Sequence, residues 1–440
     1  MSRPPDNGAV PKGYARYILA VMVGINFLNY LDRWVASAAA PLIQKEFTLS
    51  DFEVGLLGTA FLLVYAVAAL PFGFWADRGV RKRIIGIGVT IWSLATVVSG
   101  FAGSYVQLFL SRAVLGIGEA SYYPAGTSLM SDYFPRETRG RAMSIWGAGT
   151  AFGIAVGFAG GGIVAERFGW RYAFYFTALP GLVFAVLAFT MREPLRGAVE
   201  RLGPKVDQAG QVTVRAFLHL LRIPTLRWTI LSQTVLFFVL ASNAFWLPTL
   251  LARRFDMSIG KAGTLSGAVI VLGGLIGTLG GGWLADRWAK KSPNGHVKVG
   301  MMGFLIASVT ICVAILAPYA IFLPFFFITV VAMYMHSGPF TAIGQNVVSP
   351  TLRASSVTLL LFISHVFGDS YSTAAVGALS DALGKNLQVA LLITSTPLLL
   401  VAAGFAALAL RTCRPDVEAM EATWAKGRPV VVPVESPAQV

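Results

Sequence analysis

Gly73-Phe74-Trp75-Ala76-Asp77-Arg78-Gly79-Val80-Arg81-Lys82-Arg83 decides how this chain is read, because its pattern returns as Gly282-Trp283-Leu284-Ala285-Asp286-Arg287-Trp288-Ala289-Lys290-Lys291, 209 residues further along from Gly73 to Gly282. Each copy closes a long apolar run and ends in a basic cluster. A second echo pairs Pro135 to Arg139 with Pro350 to Arg353. Working outward, apolar stretches of the roughly 20 residues that a bilayer-spanning helix needs lie at Tyr17–Ala40, Phe52–Trp75, Ile84–Ala102, Tyr105–Tyr133, Ala142–Ala165 and Tyr172–Met191. After a polar stretch, six more follow at Trp228–Leu251, Ala262–Ala285, Val297–Ala317, Ile321–Asn346, Ser355–Ser380 and Gln388–Leu410. With 440 residues, 55% hydrophobic and 13% charged, the chain holds more apolar surface than one globular core buries.

These observations predict an all-α membrane protein of 12 transmembrane helices in two six-helix bundles. The expected divisions are a tail at 1–16, a bundle at 17–191, a central loop at 192–227, a second bundle at 228–411 and a tail at 412–440, with the polar end from Glu418 onward unstructured. A formal net charge of +14 points to nucleic acid only if it gathers on one soluble face. Here Arg78, Arg81, Lys82 and Arg83, then Arg136, Arg139 and Arg141, then Arg287, Lys290 and Lys291 sit in short loops between apolar runs. The positive-inside rule makes those loops, and with them both termini, cytoplasmic. Arg253, Arg254 and Lys261 fall on the opposite side and break the pattern. The first apolar run is expected to be retained rather than cleaved, since Asp32 and Arg33 interrupt it. Cys312 and Cys413 supply neither a disulfide framework nor a metal site. Among catalytic motifs, HExxH, a Gly-x-Ser-x-Gly elbow and a membrane-flanking Walker loop are absent, so the chain is not expected to be an enzyme.

The Gly-x-x-x-Asp-Arg loop with its basic tail resembles the signature of the major facilitator superfamily, whose members are transporters with a substrate site where two helix repeats meet. The resemblance implies that Gly73, Asp77, Arg78 and Arg81, with Asp286 and Arg287, form a cytoplasmic latch; glycine would permit close helix packing there. For Arg81, Lys82 and Arg83, simple positive-inside topology is the competing explanation. Gly153, Gly157, Gly161 and Gly162 resemble the superfamily's antiporter motif, but Phe158 stands where that motif has proline. Within the superfamily, Asn29-Tyr30-Leu31-Asp32-Arg33, Gly116-Ile117-Gly118-Glu119-Ala120-Ser121-Tyr122 and Arg192-Glu193-Pro194-Leu195-Arg196-Gly197 look most like bacterial spinster-type transporters. Relatives of these move sphingosine phosphate and lysophospholipids. The first two motifs also resemble proton-coupled anion:cation symporters that import sugar acids.

Ionisable residues deep in a spanning helix are costly unless they pair or face a cavity, which singles out few positions. Asp32 and Arg33 are adjacent and point about 100° apart, whereas Arg112 and Glu119 are seven residues, about 10.5 Å, apart on nearly one face. The resemblance implies that Asp32 and Glu119 titrate and that Arg33 and Arg112 pair with them or hold an anionic substrate group. Tyr122, Asn243 and Trp246 are further expected substrate contacts. His365 and Asp369, four residues apart on the eleventh run, form a secondary candidate site, and His336 reads as a packing residue. The expected function is secondary transport of an anionic amphipathic lipid, driven by the proton gradient across a plasma (inner) membrane. The alternative is symport of a sugar acid or other small organic anion. The expected partners are the solute, protons and the lipid bilayer, with no cofactor, no metal and no nucleic acid, and a monomer is expected.

Overall fold

The computed structural model describes residues 12–194, 220–349 and 352–425, and among them the regular elements are all helical. The first half contains α1 (Lys12–Phe47), α2 (Asp51–Arg78), α3 (Arg81–Gly100), α4 (Tyr105–Ala120), α5 (Tyr122–Tyr133), α6 (Arg136–Phe168) and α7 (Trp170–Thr190). The second contains α8 (Pro224–Phe255), α9 (Ile259–Ala289), α10 (Gly295–Leu316), α11 (Tyr319–Tyr334), α12 (Ser337–Asn346), α13 (Arg353–Ser364), α14 (Ser372–Ala382) and α15 (Leu387–Ala425). Eleven helices or helix pairs among the described residues are long and apolar enough to cross a membrane. The broken pair α4–α5 completes the twelve expected from the sequence.

Proline sets two of the breaks. Pro124 has no N–H to meet the carbonyl of Ala120, and the chain departs from helix at Ser121, whose N–H turns back to Gly118 O at 3.3 Å. Pro339 leaves the carbonyl of Met335 free in the same way, and Met335 N–H turns back to Ala332 O at 3.3 Å. The eleventh span has a different interruption: α13 passes into a π turn at His365–Asp369 before α14 resumes.

The helices fall into two compact units, the first comprising residues 1–209, 241–271 and 370–390 and the second 210–240, 272–369 and 391–440. In the first unit α6 lies along α1. Every fourth residue of its contact face is glycine, and a Cβ at Gly149, Gly153 or Gly157 would lie 2.9, 2.4 or 2.7 Å from the carbonyl oxygens of Val23, Phe27 and Leu31. Backbones this close exclude any larger residue. The core beside them holds Met22, Trp92, Tyr122 and Trp146. In the second unit α10 packs on α11 and α12, and Phe304, Phe340 and Phe237 surround His336.

Three expectations about segment ends change, one of them being that α8 starts at Pro224, inside the expected 192–227 loop. The last helix runs on to Ala425, so residues 418–425 are helical where an unstructured tail was expected. The first helix starts at Lys12, inside the expected 1–16 tail. Most of the 192–227 loop lies outside the described residues.

Candidate functional site

Asp32 and Arg33 sit side by side on α1, and Arg112 and Glu119 lie two turns apart on α4 just before its break. All four come together in the first unit. Arg33 Nε donates to Glu119 Oε2 at 2.7 Å, with the arginine side chain 17% exposed and the glutamate fully buried. The guanidinium also lies over the rings of Tyr30, Phe61 and Tyr65, at 4.8, 5.2 and 4.6 Å from their centroids. An aromatic face attracts a cation, so these rings hold the group in place while leaving one edge accessible. Phe61 and Tyr65, which supply most of this cage, were not picked out from the sequence.

The other two charges are arranged differently. Arg112 Nη1 reaches the backbone carbonyl of Asp32 at 3.4 Å, not its carboxylate, and the guanidinium lies 5.5 Å from the Phe61 centroid. Asp32 Oδ2 lies 3.3 Å from the Thr96 hydroxyl. Asp32 Oδ1, Glu119 Oε1 and Arg112 Nε are buried without a hydrogen-bond partner among the described residues.

Two expected substrate contacts are placed elsewhere. The Tyr122 hydroxyl donates to Met22 O at 2.8 Å and accepts from Trp146 Nε1 at 2.6 Å, with the side chain buried in the core. Trp246 is fully buried and donates through Nε1 to Thr373 O at 3.0 Å. Both tie helices together, because burying their polar atoms requires fixed partners. Asn243 is buried one turn before Trp246 on α8. His365 Nδ1 and Asp369 Oδ2 are 2.6 Å apart, across the π turn. His336 is buried, with Nδ1 2.7 Å from Met333 O, a packing residue as expected.

Around the signature loops, Arg81 is the exception to a merely topological reading. It is buried, pairs with Asp132, donates through Nε to Glu193 Oε1 at 2.7 Å and through Nη2 to Pro194 O at 3.0 Å. It thus pins the start of α3 to the end of α5 and to the segment after α7. Arg78 is exposed; the Asp77 side chain lies outside the described residues. Asp286 is 80% exposed at 3.8 Å from His296 Nε2, and Arg287 lies over the Trp283 ring at 5.7 Å. A Cβ on Gly73 would meet nothing within 4 Å among the described residues.

At the opposite helix ends, Arg253 accounts for itself. Its guanidinium donates to Asp51 Oδ2 at 2.9 Å and Oδ1 at 2.5 Å, an ion pair that gives this basic residue a local partner.

Comparison with known proteins agrees with this architecture. The Major Facilitator Superfamily pattern matches residues 22–372. Protein spinster homolog 1 of Xenopus laevis is 31% identical over 407 residues, covering 86% of this chain and 76% of the relative. The Homo sapiens protein of the same name is 32% identical over 401 residues, covering 85% and 74%. The crystal structure of a bacterial homolog to the human lysosomal transporter Spinster, inward-facing and unoccupied, superposes with a TM-score of 0.80 at 26% identity, covering 98% of this chain and all of that one. A D-xylose-proton symporter shares the fold at a TM-score of 0.69 and 17% identity. The broken fourth and tenth spans, the buried charge cluster on α1 and α4 and the duplicated signature loops are therefore features of a multi-pass membrane transporter, and the chain belongs to the Major Facilitator Superfamily, within its spinster branch.

Proposed function

We propose that the protein moves an anionic amphipathic solute of the lysophospholipid or sphingoid phosphate type, coupled to protons, by alternating access. The observation that carries this reading is the buried Arg33–Glu119 pair at 2.7 Å, which ties α1 to α4. Protonating Glu119 removes the negative partner and frees a guanidinium that is already held by Tyr30, Phe61 and Tyr65. A guanidinium so placed is the natural bidentate partner of a phosphate or carboxylate. Proton and anion then favour each other's binding, by the reciprocity that linkage requires. Arg112, directly beside Asp32, supplies a second positive group, and Asp32 a second proton acceptor. The aromatic rings around Arg33 offer apolar surface next to the charge, which suits a headgroup joined to an acyl chain better than a sugar acid. Asp77 and Asp286, with their neighbouring arginines, act as the latch on the cytoplasmic side, where both termini also lie.

The test is reconstitution in proteoliposomes with an imposed pH gradient. Solutes are first chosen by thermal shift among lysolipids, sphingoid phosphates and sugar acids, because a ligand that binds only the native state stabilises it. Glu119→Gln mimics the protonated carboxylate, so binding survives while gradient-driven accumulation fails. Full accumulation by Glu119→Gln would rule out the proton-switch reading.

A further inference from the structure

The helix ends opposite the signature loops carry the same contact twice. At the start of α2, the N–H groups of Asp51 and Phe52 donate to Asp381 Oδ1 and Oδ2 at 2.9 and 2.8 Å, and Asp381 belongs to the last turn of α14. At the start of α9, the N–H of Gly260 donates to Glu166 Oε2 at 2.6 Å, and Glu166 belongs to the last turn of α6. The first N–H groups of a helix have no partner within it, and its positive end favours a carboxylate. Ordinarily the cap comes from the residue just before the helix, as Ser50 does for Glu53 in α2. Here the carboxylate comes instead from the other half of the sequence.

The internal repeat relates the two contacts. Asp51 and Gly260 are 209 residues apart, the spacing of the signature loops, and Glu166 and Asp381 are 215 apart, the spacing from Pro135 to Pro350. Gln44 and Arg253, again 209 apart, flank the first contact: Gln44 Nε2 donates to Asp51 Oδ1 at 2.7 Å, and Arg253 Nη2 donates to Gln44 Oε1 at 2.5 Å. All of these residues lie in the first compact unit. The helices beneath are in backbone contact, since a Cβ on Gly55 or Gly377 would lie 2.3 Å from the carbonyl oxygen of Thr373 or Asp51.

We propose that Asp381 and Glu166 form a duplicated clasp that holds shut the end of the transporter opposite its signature loops. Each half gives one carboxylate and receives one on a helix start. Both caps are therefore made together when the halves meet on that side and lost together when they part. The clasp uses neither Arg33 nor Glu119, so it stands whether or not that pair carries a proton.

Spin labels on Gln107 and Ala382, both exposed, in a protein with Cys312 and Cys413 replaced, read the separation on that side by pulsed electron resonance. Asp381→Asn and Glu166→Gln each weaken a charge-assisted bond, and each is expected to raise the long-distance over the short-distance population roughly tenfold, with a larger change when combined. Asp416→Asn is the control: Asp416 caps the N–H of Thr225 at 2.8 Å within a single half, so its loss leaves the distances unchanged. Unaltered distances in a folded, monodisperse double variant would overturn the proposal. So would an equal shift in Asp416→Asn, which would reduce the caps to ordinary helix stabilisers.

Discussion

The α4–α5 and α11–α12 pairs occupy matching places in the two halves and break in the same manner, three residues before Pro124 and four before Pro339. Their surroundings differ. Ahead of the first break stand Arg112 and Glu119, paired with or packed against the charges of α1. At the second stands His336, enclosed by Phe237, Phe304 and Phe340. The duplicated backbone breaks in both copies, while the carboxylates and arginines stand beside only one of the two breaks. A break frees carbonyls and lets a helix bend; only charge beside it makes that bend chemically responsive.

Substitutions on each side of the comparison should differ in size. Arg33→Met leaves Glu119 buried with no partner, and breaking a buried pair costs about 3–5 kcal/mol; adding Glu119→Gln should recover most of it. His336→Phe, in the aromatic copy, should cost less than about 1.5 kcal/mol. Thermal unfolding in one detergent measures all three, and a loss at His336 as large as at Arg33 would erase the distinction. Next in size, Gly377→Ala forces a methyl against the Asp51 carbonyl and should cost about 1–3 kcal/mol, seen in the same melts. Asp32→Asn should cut gradient-driven uptake severalfold, and Asp369→Asn by less, in vesicles at imposed pH gradients. If Asp369→Asn proves the more damaging, the second half carries the coupling. The smallest effect belongs to Gly73→Ala, expected within about 1 kcal/mol of the parent because its Cβ meets nothing within 4 Å and alanine favours helix.

The number of spans and the doubled architecture could be read from the sequence because bilayer length and a repeated junction leave a mark in local order. The breaks at Ser121 and Met335 were equally visible, through Pro124 and Pro339, yet the apolar runs continued past them and hid them. Which charges meet was not legible: Arg33 and Glu119 are 86 positions apart, and adjacency on α1 does not say which neighbour turns toward α4. Tyr122 and Trp246 read as substrate contacts by residue type, but their hydrogen bonds to Met22, Trp146 and Thr373 leave no mark in local order. Arg253 breaks the charge pattern along the sequence, and its partner Asp51, 202 positions away, becomes visible only in the fold.

The π turn at His365–Asp369 fits one more residue into its loop than an α-helical turn would. One residue is about 100° of rotation, a rotation that an unbroken α-helix over the same residues would lack. Thr373, Gly377, Ser380 and Asp381 follow it on α14 and form one stripe against α2 within the first unit. Deleting Phe367 would be expected to take out that extra residue and cost the stripe its register against α2. The contacts at the far end would then be lost through a change that touches none of them.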